Sequence, residues 1–132
     1  MAISPQFAAT PKISSADTGT TQNTNLNGSG TIVHLLTVGL SGGRVDTIYC
    51  VPTGSTSTAS ALRFFVSPTG STAAFKLIHE ESLPVNTLTQ VGASNPVVWR
   101  ANLIMPAGAT MGITIGNALG AAWQVTAEHG DL

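Results

Sequence analysis

Short runs rich in Val, Ile, Thr and Phe dominate the sequence from residue 31 onward, and clusters of Gly, Pro, Ser and Asn separate them. Several runs alternate apolar and polar residues, which is the period of a half-buried β-strand. The pattern predicts seven or eight strands within these segments: 31–38, 44–51, 61–67, 74–81, 87–91, 97–104, 110–115 and 122–128. No segment has a convincing helical period, so we expect no helix longer than two turns.

Strands of this length and spacing are typical of antiparallel sandwiches, jelly rolls and small barrels. A chain of 132 residues with 42% hydrophobic residues is long and apolar enough for one domain with a real core. We therefore predict an all-β fold, a single antiparallel β-sandwich or jelly-roll-like domain over residues 30–132. Within the segment 44–51, the alternation places Val45, Thr47, Tyr49 and Val51 on one face.

The first 29 residues differ from the rest, because they show neither the strand period nor the helix period. Their apolar residues occur singly, as Ile3, Phe7, Ile13 and Leu26, among Ser, Thr, Asn, Gly and Pro. Such a segment is expected to become ordered by lying on another surface, either that of its own domain or that of a neighbour. We predict that residues 1–29 form an extended N-terminal arm that contributes little to the fold and anchors the subunit to a partner.

Charged residues are scarce: five Lys or Arg and six Asp or Glu make up 8% of the chain, whereas about 25% is usual. The surface must therefore consist of Ser, Thr, Asn, Gln and Gly with apolar atoms between them. A partner can cover such a surface at a small desolvation cost. A net charge of −1 gives no electrostatic reason to bind nucleic acid or an anionic membrane. We expect a protein that packs against other proteins.

One stretch could be mistaken for a membrane span, because residues 101–127 carry no charge and glycines recur every fourth residue from Gly108 to Gly120. Pro106 and three amide side chains interrupt the stretch, and Met111, Ile113 and Ile115 alternate with smaller residues. The alternation favours a strand over a helix. The start of the chain has no basic and apolar regions of a secretion signal, and one cysteine, Cys50, permits no internal disulfide. These features favour synthesis in a reducing cytoplasm.

Few residues are candidates for chemistry. The three histidines, His34, His79 and His129, lie on separate predicted strands without the close spacing of zinc motifs. No Gly-x-Ser-x-Gly motif occurs, and Glu80 and Glu81 should point to opposite faces of their strand. We therefore expect no catalytic site, no metal and no cofactor, and we expect the cysteine to be a small buried hydrophobe.

Two tryptophans, Trp99 and Trp123, each lie within an apolar strand. Aromatic side chains on a β-sandwich can form a platform on which a sugar stacks, but packing in the core or at a subunit interface is favoured here. The residues that we predict to contact a partner are Phe7, Ile13, Leu26, Trp99 and Trp123.

Five short motifs resemble those of small proteins encoded among the head genes of tailed bacteriophages: residues 10–13 (TPKI), 25–32 (NLNGSGTI), 62–66 (LRFFV), 105–108 (MPAG) and 130–132 (GDL). Such proteins are similar to capsid cement, or decoration, proteins. The resemblance implies a β-sandwich subunit, usually in a homotrimer, that clamps neighbouring major-capsid subunits. It also implies a location on the capsid surface of the virion. The alternative is a carbohydrate- or receptor-binding module of a phage fibre or tail tip.

Overall fold

The computed structural model describes residues 10–54, 56–94 and 96–132. These residues form eleven β-strands and one helical turn, the 3-10 turn Thr72–Ala74. The strands are β1 (Thr10–Asp17), β2 (Val33–Thr37), β3 (Gly43–Pro52), β4 (Thr56–Ser57), β5 (Ser60–Ser67), β6 (Lys76–Leu83), β7 (Asn86–Thr87), β8 (Val97–Trp99), β9 (Leu103–Met105), β10 (Thr110–Ile115) and β11 (Trp123–Asp131). The predicted all-β fold class is confirmed.

Two antiparallel sheets make up the sandwich. Sheet A has the strand order β1-β11-β3-β8, with β9 also paired to β3, and sheet B has the order β2-β10-β5-β6. Strands β4 and β7 form a separate small ribbon. The first and last strands, β1 and β11, are neighbours in sheet A, and the second and next-to-last strands, β2 and β10, are neighbours in sheet B. This nested order is jelly-roll-like.

The core lies between the two sheets and draws on both of them. Sheet A contributes Val45, Ile48, Trp123 and Val125, and sheet B contributes residues such as Phe64. Other fully buried side chains of the cluster are Leu36, Leu62, Leu83, Met105, Met111, Ile113 and Ile115. Burial of apolar surface on this scale is the main term that stabilises the fold.

Residues 10–17 belong to the sandwich, so the predicted boundary between arm and domain at residue 30 is wrong. They form β1, which pairs with β11 along its whole length, from Thr10 opposite Asp131 to Asp17 opposite Gln124. The strand escaped prediction because it is an edge strand whose side chains are mostly exposed. It therefore lacks the apolar alternation of a central strand. Residues 1–9, including the predicted contact Phe7, lie outside the described residues.

The second half of the predicted arm also packs on its own domain. Gly28 lies so close to the segment before β6 that a Cβ built on it would be 2.1 Å from the Phe75 carbonyl oxygen, and its φ is +85°. Ile32 lies over Gly112 of β10, where a Cβ would be 2.3 Å from the Ile32 Cγ2. Phe65 and Phe75 are buried but lie outside the main core. Residues 28–32 thus cover part of the outer face of sheet B.

A bulge in β3 interrupts the predicted alternation of that strand. Glu128 of β11 is opposite Thr47, but the next residue, His129, is opposite Val45, so Asp46 is the extra residue. Val45 consequently faces the core with Ile48, whereas the prediction placed it with Thr47, Tyr49 and Val51. The predicted strand 97–104 breaks beside the same bulge. Asn102 has a φ of +45°, which Asn tolerates better than most residues, and it donates its backbone N–H to the Asp46 carbonyl.

The uncharged stretch at residues 101–127 forms the strands β9 and β10 and the start of β11, as its alternation predicted. No helix among the described residues is long and apolar enough to cross a membrane.

Candidate interaction surface

An uncharged row of side chains crosses the outer face of sheet A. Ser15 of β1 is opposite Thr126 of β11, Thr126 is opposite Tyr49 of β3, and Tyr49 is opposite Val98 of β8. These residues alternate with neighbours that face the core, such as Val125 and Cys50, so they share the outer face. The Ser15 and Thr126 hydroxyl oxygens lie 2.9 Å apart in a hydrogen bond. Four strands thus present one continuous neutral row.

The two rows beside it extend this surface. One contains Val51 opposite Gln124, and the other contains Thr47 opposite Glu128, with Ile13 on the far side of that glutamate. We call the outer face formed by these three rows the open face; it comprises Ile13, Ser15, Thr47, Tyr49, Val51, Val98, Gln124 and Thr126. Exposure of its aliphatic members is substantial: 73% for Ile13, 40% for Val51 and 39% for Val98. One carboxylate, that of Glu128, lies within this surface between Ile13 and Thr47, and a second, that of Asp17, lies at its margin opposite Gln124.

The structure separates the five predicted contact residues. Ile13 lies on the open face, and Leu26 is 53% exposed in the loop between β1 and β2. Trp123 is fully buried in the core, so it cannot contact a partner, and the core interpretation of that residue holds. Phe7 is outside the described residues. Sequence reasoning missed Tyr49, Val98 and Thr126 as surface neighbours, because only the strand register brings them together.

Trp99 closes the side of the sandwich between β8 and β6. Its ring stacks on the His79 imidazole, with centroids 4.0 Å apart and planes 7° from parallel, and it also packs 4.8 Å from the Phe64 ring. The His79 Nε2 is 2.8 Å from the Glu81 Oε1. The Trp99 ring therefore contacts the His79 and Phe64 side chains and does not form an open platform for a sugar. Its position is explained by packing against the core.

The groups considered for chemistry lie apart. His34 is exposed and bonds to Thr37, and neither it nor His79 adjoins His129. Glu80 pairs with Arg63, whereas Glu81 pairs with His79, so the two glutamates point to opposite sides of β6 as predicted. Among the described residues, no group of three or more His, Cys, Asp and Glu side chains is placed to hold a metal ion. Burial raises the pKa of the Cys50 thiol to about 12, with the nearby Glu81 carboxylate adding to the shift, so it is a buried thiol rather than a nucleophile.

A polar cluster fastens β1 to the end of β11. The Lys12 Nζ is 2.6 Å from the Asp131 Oδ2, and the Asp131 Oδ1 accepts the Gly39 backbone N–H at 2.9 Å. The Ser14 hydroxyl and the His129 Nε2 are 2.7 Å apart. Hydrogen bonds from Lys12 and then from Gly39 lower the pKa of Asp131 below its ordinary value of 3.8. Burial, and then the Lys12 charge, lower the pKa of His129 below 6.5, and Asp131 partly opposes that shift.

These shifts predict that the free energy of unfolding falls as the pH is lowered. Below about pH 6.5 the unfolded chain takes up a proton on His129, while the folded chain resists it, because burial and then the Lys12 charge disfavour the imidazolium. Below about pH 3.8 the unfolded chain also protonates Asp131 before the folded chain does. The contribution of each group is present above its unfolded pKa and is lost below it. Urea unfolding measured at several pH values between about 7.5 and 3 checks this.

The matched variants are His129→Gln, which can keep a hydrogen bond to Ser14 but does not titrate, and His34→Gln at an exposed site. We expect the first to flatten the dependence between about pH 7.5 and 5.5 and the second to leave it unchanged. An equal dependence in the wild type and His129→Gln would contradict the account.

A scan against protein-family models, a search of curated proteins and a search of solved structures each returned no match for this chain.

Proposed function

We propose that this protein is a structural virion protein, a capsid cement or decoration protein of a tailed bacteriophage, and that it binds the major capsid protein through the open face. The observation that carries the proposal is the neutral row Ser15, Thr126, Tyr49 and Val98 at the centre of an exposed sheet. The sequence motifs that resemble phage head proteins supply the identity of the partner. Jelly rolls occur in viral capsid domains and in lectins, so the fold supports the proposal by analogy alone.

The chemistry of the open face suits a protein partner. Tyr49, Val51 and Val98 supply apolar area, and aromatic side chains such as Tyr are enriched at interfaces. The hydroxyls of Ser15 and Thr126 already satisfy each other, so covering them has a small desolvation cost. Many copies on a symmetric shell would convert a modest affinity per subunit into stable attachment. The resemblance further implies a homotrimer, and that assembly state stays a prediction.

The test places a charge on the open face. In Val51→Asp the new carboxylate would be buried without a partner when a capsid covers the face, and we expect the affinity to fall roughly a hundredfold or more. The measurement is co-sedimentation of the purified protein with shells assembled from the major capsid protein of the encoding phage. Circular dichroism establishes that the variant keeps its β-sheet spectrum.

The matched control is Ile78→Asp, because Ile78 lies on β6 of the other sheet and is 42% exposed, close to the exposure of Val51. This variant should bind shells as the wild type does. Loss of binding in both variants, or in neither, would show that the open face is not the contact. A wild-type protein that fails to bind any shells would contradict the proposed function itself.

A further inference from the structure

A cleft of about 600 Å³ lies between residues 18–25 and the end of β10. The pairing of β10 with β2 ends at Ile113 opposite Val33, while β10 continues to Ile115. Beyond that point the chain that leads into β2 is no longer paired with β10. Residues 18–25, which follow β1, form the opposite wall of the cleft, and we call them the facing wall. The volume falls within the range of small-molecule sites.

Neutral polar groups line most of this cleft. The walls carry hydroxyl and carboxamide side chains, among them Thr20, Thr24, Asn25 and Thr31. Val33 is partly exposed there, whereas Ile113 and Ile115 adjoin the cleft with their side chains buried in the core. None of the lining residues is charged, so the cleft offers no counterion to a phosphate, a carboxylate or an amine.

Asn23 holds the facing wall in place. Its side-chain Nδ2 donates to the Ser29 carbonyl at 3.0 Å and to the Thr31 carbonyl at 2.9 Å, and its Oδ1 accepts the Asn25 N–H at 3.0 Å. Its own backbone N–H donates to the Ile115 carbonyl at 2.9 Å. One of these four hydrogen bonds joins the wall to β10, two join it to the chain that leads into β2, and one lies within the wall. Together they fix the shape of the cleft, which lowers the ordering cost of binding a ligand.

Thr114 lines the same cleft with a hydroxyl that lacks a partner. The residue is 5% exposed, and its Oγ1 is buried without a hydrogen-bond partner among the described residues. A buried unsatisfied hydroxyl destabilises the folded chain, and such groups in native structures call for an explanation. A hydroxyl-bearing ligand in the cleft would supply the missing partner.

We propose that this cleft binds a neutral carbohydrate of one or two sugar units. The hydroxyl and carboxamide groups that line the cleft match the donors and acceptors of sugar hydroxyls, and the unpartnered Thr114 hydroxyl adds one more. The site goes beyond the proposed function and lies apart from the open face. Failure of either proposal therefore leaves the other intact.

Saturation-transfer NMR with glucose, galactose, N-acetylglucosamine and their β-linked disaccharides tests the proposal on the full chain. We expect saturable binding of at least one probe at millimolar concentration. The double variant Thr24→Ala/Asn25→Ala removes one hydroxyl and one carboxamide from the exposed rim and should weaken that binding roughly tenfold. The matched control, Thr87→Ala/Gln90→Ala, removes the same two groups from exposed positions elsewhere and should bind as the wild type does.

Thr114→Val gives a second readout. It should weaken sugar binding while the melting temperature stays equal or rises, because the substitution removes an unsatisfied polar atom with little change of shape. Absence of binding by every probe would overturn the proposal, as would equal binding by the wild type and the rim variant. Binding of N-acetylglycine N-methylamide in the cleft without any sugar would overturn it in favour of a peptide ligand.

Discussion

Replacing Trp123 with alanine is expected to lower the free energy of unfolding by about 3–5 kcal/mol, the usual cost of truncating a large aromatic side chain in a core. The side chain is fully buried between the sheets at the start of β11. The Trp123 backbone also joins the sheet to the chain after β1: Thr18 donates its N–H to the Trp123 carbonyl at 2.9 Å, and its Oγ1 accepts the Trp123 N–H at 3.0 Å. Urea unfolding followed by circular dichroism measures the change.

Trp99→Ala is the matched control, because Trp99 is half-buried at the side of the sandwich. Its loss should cost roughly 1–3 kcal/mol. If Trp123→Ala kept wild-type stability but failed to associate with a partner, the assignment of Trp123 to the core would be wrong, and the original partner-contact prediction would be right.

The strands that the sequence predicted well are those with one face on the core. The segment 110–115 matches β10 at both ends, and the segment 61–67 differs from β5 by one residue. The segment 44–51 lies within β3, but the predicted face is wrong for Val45, which precedes Asp46 and faces the core. A bulge adds one residue to one strand only, so it depends on the partner strand, β11, which lies about 80 residues further along the chain. No local pattern could have shown it.

The open face illustrates the same limit for the site. The alternation of Thr47, Tyr49 and Val51 predicts correctly that these three share a face. Their neighbours Ser15, Thr126 and Val98 come from three distant segments, and only the register of β1, β11 and β8 brings them together. Strand β1 carries no such alternation, because its inward-facing Ser14 and Ala16 lie at the margin of the core, where small residues suffice, and its outward-facing Ile13 is apolar.

Deleting residues 2–17 is expected to abolish cooperative folding, whereas an arm that only anchored the subunit could be removed without loss. The deletion exposes one whole edge of β11, which pairs with β1 over eight residues. It also removes the Lys12 partner of Asp131 and the Ser14 partner of His129, which leaves the buried imidazole without its hydrogen bond. Each backbone hydrogen bond contributes about 0.5–1.5 kcal/mol net, and a small domain has a total stability of only about 5–15 kcal/mol. Losing a full strand pairing consumes most or all of that margin.

The measurement is thermal unfolding by circular dichroism, with the deletion of residues 2–9 as the reference that isolates the contribution of β1. We expect the protein that lacks residues 2–9 to unfold in a cooperative transition and the protein that lacks residues 2–17 to show none. A third variant, Ile13→Ser in the full chain, alters the exposed face of β1 but keeps its pairing, so its melting temperature should stay near that of the wild type. If the protein that lacks residues 2–17 melted cooperatively at the wild-type temperature, the strand would be dispensable, and the predicted role of residues 1–29 as an anchoring arm would be restored.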